Sequence, residues 1–312
     1  MDTKLKPFAE CLFTKHETRM YRKEKDAFLG HCKEEFAQLG YDVTVKEDRN
    51  ALGMTSKNLV AGPLDADILI TAHYDTPGRN GLMLLFTPLL GALLGSLLFM
   101  FGFDFLARFL EVNFGNSMPS WAPSIRVIFG LILIASFFLK NKHNHNDNTS
   151  GVLGVYQVAA LVAQNPELKA RCAFVLFDHE EVMPGLLGSK AFAKWRRQHH
   201  PDKAGGMVIN LDCIGVGDVL TVMTKKKHDG WHNMADFLEK ENFDVRKVRG
   251  GLTGNSDHAP FPGGVSLLFQ KRALLGPLYI PSIHSGRDKV CDLGQIERLC
   301  GTVYHYMDKA SS

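Results

Sequence analysis

Apolar positions along the chain follow two rhythms. Between residues 18 and 40, Tyr21, Phe28, Cys32, Phe36 and Leu39 recur at helical spacing, and Gly40 supplies a stop. YDVTVKE, directly after it, alternates like a half-buried strand. Short apolar runs follow: LVAG at 59–62, ILITA at 68–72, AFVLF at 173–177, MVINL at 207–211, VSLLF at 265–269 and LYIPSI at 278–283. Helical patterns separate the later runs, over 152–164, 186–198 and 231–242. Strands buried on both faces that alternate with helices predict an α/β domain with a mostly parallel central sheet flanked by helices. The chain has no internal repeat and no low-complexity tract.

One region has neither rhythm. Residues 82–103 contain no charge. As a helix they would be about 33 Å long, against roughly 30 Å of bilayer hydrocarbon. Residues 121–139 form a second such stretch, with Arg126 as the only charge, near Trp121 at one end where it can snorkel to an interface. Pro88, Gly91, Gly95 and Gly102 are costly in a soluble helix and common in membrane ones. A transmembrane hairpin is expected over 81–139, in contact with lipid through 82–103 and 121–139. Residues 1–80 and 140–312 then make one discontinuous domain. A buried helix pair or an oligomerisation hairpin is the alternative. Arg79, Lys140 and Lys142 flank the insertion, while Asp104, Arg108 and Glu111 lie in its connecting loop. By the positive-inside rule the protein is a two-helix membrane protein whose soluble domain faces the cytoplasm.

Composition changes little in this picture. The 312 residues are 45% hydrophobic and 22% charged, with a formal net charge of +3, which gives no case for nucleic acid as a partner. The first 22 residues are charged throughout and lack the apolar core of a cleaved signal peptide. Six cysteines form no CxxC and no regular spacing, as expected for reduced thiols.

Candidate chemistry gathers where strands should end. His73 and Asp75 follow ILITA, Glu180 and Glu181 follow AFVLF, Asp212 follows MVINL, and His284 follows LYIPSI. Asp147 opens DNTSG, just before a helix. Ligand sites in open parallel sheets collect at the carboxyl ends of strands. Singly, each residue has a bland explanation: an N-cap, a hydrogen-bonded filler, a solvated acidic pair. Together at one sheet edge they suit zinc, which binds imidazole and carboxylate, and there are too many of them for one catalytic ion. Two ions, with one carboxylate bridging, can polarise a carbonyl and activate a water. Adjacent glutamates can divide the work, one as base and one as ligand. His143, His145, His199 and His200 lie in polar stretches and read as solvated, though the first two flank the site and could take a stray metal.

These motifs resemble the di-zinc aminopeptidases, that is, the bacterial leucyl aminopeptidases and their glutamate carboxypeptidase-like relatives. The resemblance rests on His73-Tyr74-Asp75, DNTSG at 147–151, Glu180-Glu181 with GLLGSKAF at 185–192, LDCIG at 211–215, SDHAPF at 256–261 and IHSGRD at 283–288. It covers about residues 20–308 apart from the insertion. It implies Asp147 as the bridging carboxylate, Glu181 and His284 on one zinc, and His73 and Asp212 on the other, with manganese or cobalt as possible substitutes. It implies Glu180 as general base and Asp75 as the carboxylate that holds His73. Ser256, Asp257 and His258 would lie near a substrate cleft. Met183 and Pro184 are added relative to the family pattern, beside the expected specificity pocket.

The expected function is that of a membrane-anchored aminopeptidase on short peptides. Two alternatives stand beside it: a catalytically inactive peptidase-like scaffold or receptor, and a metal-dependent enzyme acting on another amide or cyclising glutamine.

Overall fold

A computed structural model describes residues 4–49, 53–78, 139–182, 185–250, 255–273 and 276–311, with isolated helical positions between 102 and 128. Its strands are β1 (Val43–Arg49), β2 (Thr55–Ala61), β3 (Ile68–His73), β4 (Cys172–Phe177), β5 (Met207–Leu211), β6 (Val219–Thr224), β7 (Val245–Arg249), β8 (Gly264–Arg272) and β9 (Leu278–Tyr279). The helices are α1 (Leu5–Lys15), α2 (Arg22–Gln38), α3 (Gly151–Val162), α4 (Pro166–Arg171), α5 (Leu187–His199), α6 (Asp229–Lys240) and α7 (Leu293–Ser311).

The strands form one sheet in the order β1-β2-β4-β3-β5-β8-β6-β7, with β9 paired to β8. Its centre is parallel: β4 with β3, β3 with β5, and β5 with β8. Around that centre the sheet is mixed, because β1–β2, β2–β4, β6–β8 and β8–β9 are antiparallel. The mostly parallel sheet expected from the sequence is therefore a parallel core within a mixed α/β fold. Fully buried strands read alike in either direction, so β6 gave no sign of its reversal.

Alternation along the central strands sorts two cores. Ile68, Ile70 and Ala72 of β3 and Phe174 and Leu176 of β4 face a large core shared with α1, α2, α3, α6 and α7. Leu69, Ala173, Val175 and Phe177 face a smaller one closed by Phe192 and Phe261. Helix α3 is buried on nearly every side because it lies between the sheet and α7. Helix α1 was not foreseen from the sequence, although Leu5, Phe8, Ala9 and Leu12 form its buried stripe.

The insertion leaves and returns at one place, since Gly78 and Lys140 form an antiparallel bridge. The apolar segments 82–103 and 121–139 lie almost wholly outside the described residues. No helix among the described residues is long and apolar enough to cross a membrane. Gly102, Phe105, Arg108, Phe109 and Val112 are helical, in and beside what the sequence suggested was a connecting loop. Their apolar members recur at i, i+4 and i+7, with Arg108 interleaved.

Candidate metal centre

The site stands at the carboxyl edge of the parallel core. His73 is the last residue of β3, and its Nδ1–H donates to the Asp75 carbonyl at 3.2 Å, with the Asp75 carboxylate at 3.6 Å. With acceptors at Nδ1, the neutral ring keeps its proton on that nitrogen and turns the Nε2 lone pair toward the acids. Nε2 lies 3.4 Å from Asp147 Oδ1 and 3.8 Å from Asp212 Oδ1. On the other side, His284 Nε2 lies 3.1 Å from both Asp147 Oδ2 and Glu181 Oε1. Asp147 thus presents one oxygen to each histidine.

Local sequence explains how Asp147 reaches this point. Asn148 donates from its amide to the Leu211 carbonyl and accepts from the Cys213 and Gly151 N–H groups. Ser150 Oγ accepts from Ile214 N, and Asn146 Oδ1 from Gly215 N. The DNTSG turn is in this way stitched to the loop that carries Asp212. Gly151 is required there, because a Cβ would sit 2.3 Å from the Leu211 carbonyl oxygen. Asp212, the next residue, follows β5 directly.

Two carboxylates brace the loops from behind. Asp75 accepts the N–H groups of Glu180 and Glu181 at 3.0 and 3.1 Å. Asp288 accepts those of Asn146 and Asp147, the latter at 2.9 Å. Each histidine-bearing loop therefore carries an acid that fixes the backbone of an acid-bearing loop. Asp75 does more than the sequence indicated, since it positions the glutamate pair as well as His73. Asp288 stood in a quoted motif without a role.

Buried cations complete the frame, and the sequence gave no signal for them. Arg19 donates to the carbonyls of Tyr74 and His16 and to Thr149 Oγ1, so one guanidinium ties the β3 loop to the Asp147 turn. Lys25 of α2 pairs with Asp178, which also accepts from Lys57 N and His179 N. Asp178 lies two residues before Glu180.

The electrostatics are those of an acid-rich cage. Burial pushes the Glu180 carboxyl well above its ordinary range; His73 opposes this, and Glu181, Asp257 and Asp212 add to it. Glu181 is raised for the same leading reason. Burial acts to lower His73 and His284, but the surrounding carboxylates outweigh it and hold both imidazoles well above their usual value. Asp75 is drawn down to about 2, because His73, Lys25 and the Glu180 amide outweigh its burial.

Two donor sets emerge: His73, Asp147 and Asp212, and Asp147, Glu181 and His284. Within each set, one atom per residue lies within 4.8 Å of the others. Glu180 forms a third grouping with His73 and Glu181. The residues fit two divalent cations. Imidazole and carboxylate are zinc donors, and the buried Asp147 carboxylate belongs to both sets.

Ser256, Asp257 and His258 do not line an open surface. Ser256 Oγ accepts from Asn210 inside the sheet, and all three are buried. Neither Asp257 oxygen nor either His258 nitrogen has a hydrogen-bond partner. Burial pushes Asp257 up to about 7 against the pull of His73. His284 corrects a placement: β9 ends at Tyr279, and His284 sits in a turn at φ 54° rather than at a strand end. His145 is only partly exposed, since its ring stacks on Phe13 and pairs with the Lys289 carbonyl. His199 is exposed, with its ring stacked on Trp195. Met183 and Pro184 lie outside the described residues.

Residues 140–290, just under half of the chain, match Peptidase family M28. The fold is similar to that of a Zn-dependent exopeptidase from Parabacteroides distasonis, 12% identical over 96% of each chain, with a TM-score of 0.61. It is equally similar to Tannerella forsythia glutaminyl cyclase, 14% identical over 96% of each chain, with a TM-score of 0.63. A zinc aminopeptidase from Bacillus subtilis is 20% identical over 82% of this chain, with a TM-score of 0.50; the match spans half of that protein's length. No curated protein matches the sequence. The resemblance to the di-zinc aminopeptidase-like family, first carried by the motifs, holds at the level of domain and fold.

Proposed function

We propose that the chain is a membrane-anchored di-zinc metallopeptidase that removes amino-terminal residues from short peptides. The observation that carries this is Asp147: it presents one carboxylate oxygen to His73 and the other to His284, and Glu180 stands beside the shared site. Divalent cations bound there supply Lewis acidity and an activated water. Asp147, with His73 and Asp212 on one side and Glu181 and His284 on the other, holds them. Glu180, grouped with His73 and Glu181 at the site, would take the water's proton and deliver it to the leaving amine. Asp75 aims both the base and His73.

The glutaminyl cyclase likeness supports a second reaction on the same frame, cyclisation of amino-terminal glutamine. The presence of both donor sets favours hydrolysis. One experiment separates the two: elemental analysis of purified protein, coupled to assays of aminoacyl amides, dipeptides and glutamine-initiated peptides. Two ions with release of free amino acid are expected. One ion with cyclised product would replace the peptidase assignment, and no turnover with any of them would favour the scaffold.

The insertion 81–139 serves as the anchor, with the soluble domain on the cytoplasmic side and the catalytic edge near the lipid boundary. The uncharged stretch 82–103 and the stretch 121–139, whose only charge is Arg126 near one end, support this. The Gly78–Lys140 bridge supports excision, since a short turn can join paired backbones. Replacing 79–139 by a two- to four-residue Gly/Asn turn is expected to give a detergent-free protein that still binds metal. A full-length chain that stays in solution after carbonate washing would remove the membrane assignment.

A further inference from the structure

A second group of metal-binding side chains lies away from the acid-rich cage and plays no part in the proposed reaction. Cys11 is on α1, His16 caps its end, and His31 is on the facing side of α2. One donor atom from each lies within 4.8 Å of the others. The two imidazoles stack, with centroids 5.3 Å apart and planes 13° from parallel. His31 Nε2 is shut off from water and has no hydrogen-bond partner. Phe8 packs against the His31 ring at 5.6 Å and Phe28 edges against His16 at 6.0 Å, so apolar walls fix both rings.

From this geometry we infer a third metal site, Cys11–His16–His31, for a thiophilic cation of the zinc class. One thiolate and two imidazoles make a soft-to-borderline donor set, unlike the oxygen-rich cage. A tetrahedral zinc would place these donor atoms about 3.3–3.6 Å apart, given Zn–S near 2.3 Å and Zn–N near 2.0–2.1 Å. The donor atoms lie within 4.8 Å of one another, and the two stacked rings turn toward a common point to reach that spacing when an ion binds. Three protein donors leave the fourth position to water, and all three residues are partly exposed although His31 Nε2 itself is covered. Lys15 and Arg19 stand near His16 and repel a cation, which makes the Cys11 thiolate necessary and the site weaker than the cage. The site binds the end of α1 to α2 and so fixes the linker from which Arg19 reaches the Tyr74 carbonyl and Thr149.

Cobalt(II) tests this independently of the peptidase assignment, because no donor in either proposed set of the cage is a thiolate. Full-length protein is loaded with Co2+ and its near-ultraviolet spectrum recorded beside C11S, H31A and, because Cys213 adjoins Asp212, C213S. A thiolate-to-cobalt charge-transfer band is expected in the parent and in C213S. It should be absent in C11S and H31A, each of which binds one metal equivalent fewer. Circular dichroism of C11S confirms that the fold is kept. No band at saturating cobalt, or a band that survives C11S, overturns the site. A normal band with no metal in the cage would instead overturn the peptidase assignment alone.

Discussion

The two histidines of the cage are held in opposite ways. His73 ends a central strand, its side chain is 1% exposed, and its ring is oriented by Asp75. His284 sits in a turn with a left-handed backbone, its side chain is 33% exposed, and its Nε2 meets only acids that are themselves proposed ligands. Its glutamate partner departs from β4 through His179, also left-handed at φ 58°. The difference teaches that a site of two equal donor sets need not hold two equal ions. Strand-borne donors are fixed by the sheet; loop-borne donors depend on the carboxylates behind them. Asp288 is therefore as much a part of the second position as His284.

Removing the shared ligand should erase the contrast. D147A is expected to lose both ions together and to bring peptide hydrolysis down to background, as read by elemental analysis and assay. Retention of one full equivalent would mean that Asp147 does not bridge. Next in size is the base. E180Q keeps the shape without the proton acceptor and should cost about 10²–10⁴ in kcat at unchanged metal content. Activity near the parent's would move the base elsewhere, with Asp257 the first candidate.

The asymmetry itself is tested by stepwise chelation. One ion should leave faster than the other, and H284A should abolish the fast phase while H73A leaves it in place. Equal release rates would break the comparison. The braces come next: D75N and D288N are each expected to weaken metal binding by about 10–100-fold. D288N should affect both ions, because Asp288 holds the Asp147 backbone.

The smallest effect concerns pH. Burial pushes Asp288 and Asp257 up to about 7 in the folded metal-free protein. An acid whose folded pKa is raised costs stability as pH climbs from its unfolded value, near 4, to its folded one. The raised histidines act in the same direction, since their stabilising charge is lost as pH rises through their folded pKa. The Tm of the metal-free protein should thus fall between pH 5 and about 8. The gain in Tm on adding zinc should grow over the same range, as protons stop competing for the ligands. A metal-free Tm that rises with pH would show that the cage is not the dominant titrating group.

Much of this was legible before any fold was built. MVINL and AFVLF marked β5 and β4 to within a residue, because short apolar runs have few alternatives once buried on both faces. DNTSG, the glutamate pair and His73 carried the chemistry by residue type and order. Arg19 and Lys25 were not legible: a buried cation looks like a surface one in sequence, and only packing removes its water. Nor was the Asp288 brace, which depends on two backbone N–H groups 141 and 142 residues away.

The sequence by itself determined which side chains could bind cations, and that strands interleaved with helices would bring most of them to one edge. It could do so because hydrophobic periodicity and donor chemistry are local properties. The tertiary structure alone decided that β6 runs against β8, that His284 arrives from a turn, and that Asp147 divides its oxygens between two histidines. It also placed Cys11 beside His31. Those are distances between segments far apart in the chain, and such distances exist only once the chain has packed.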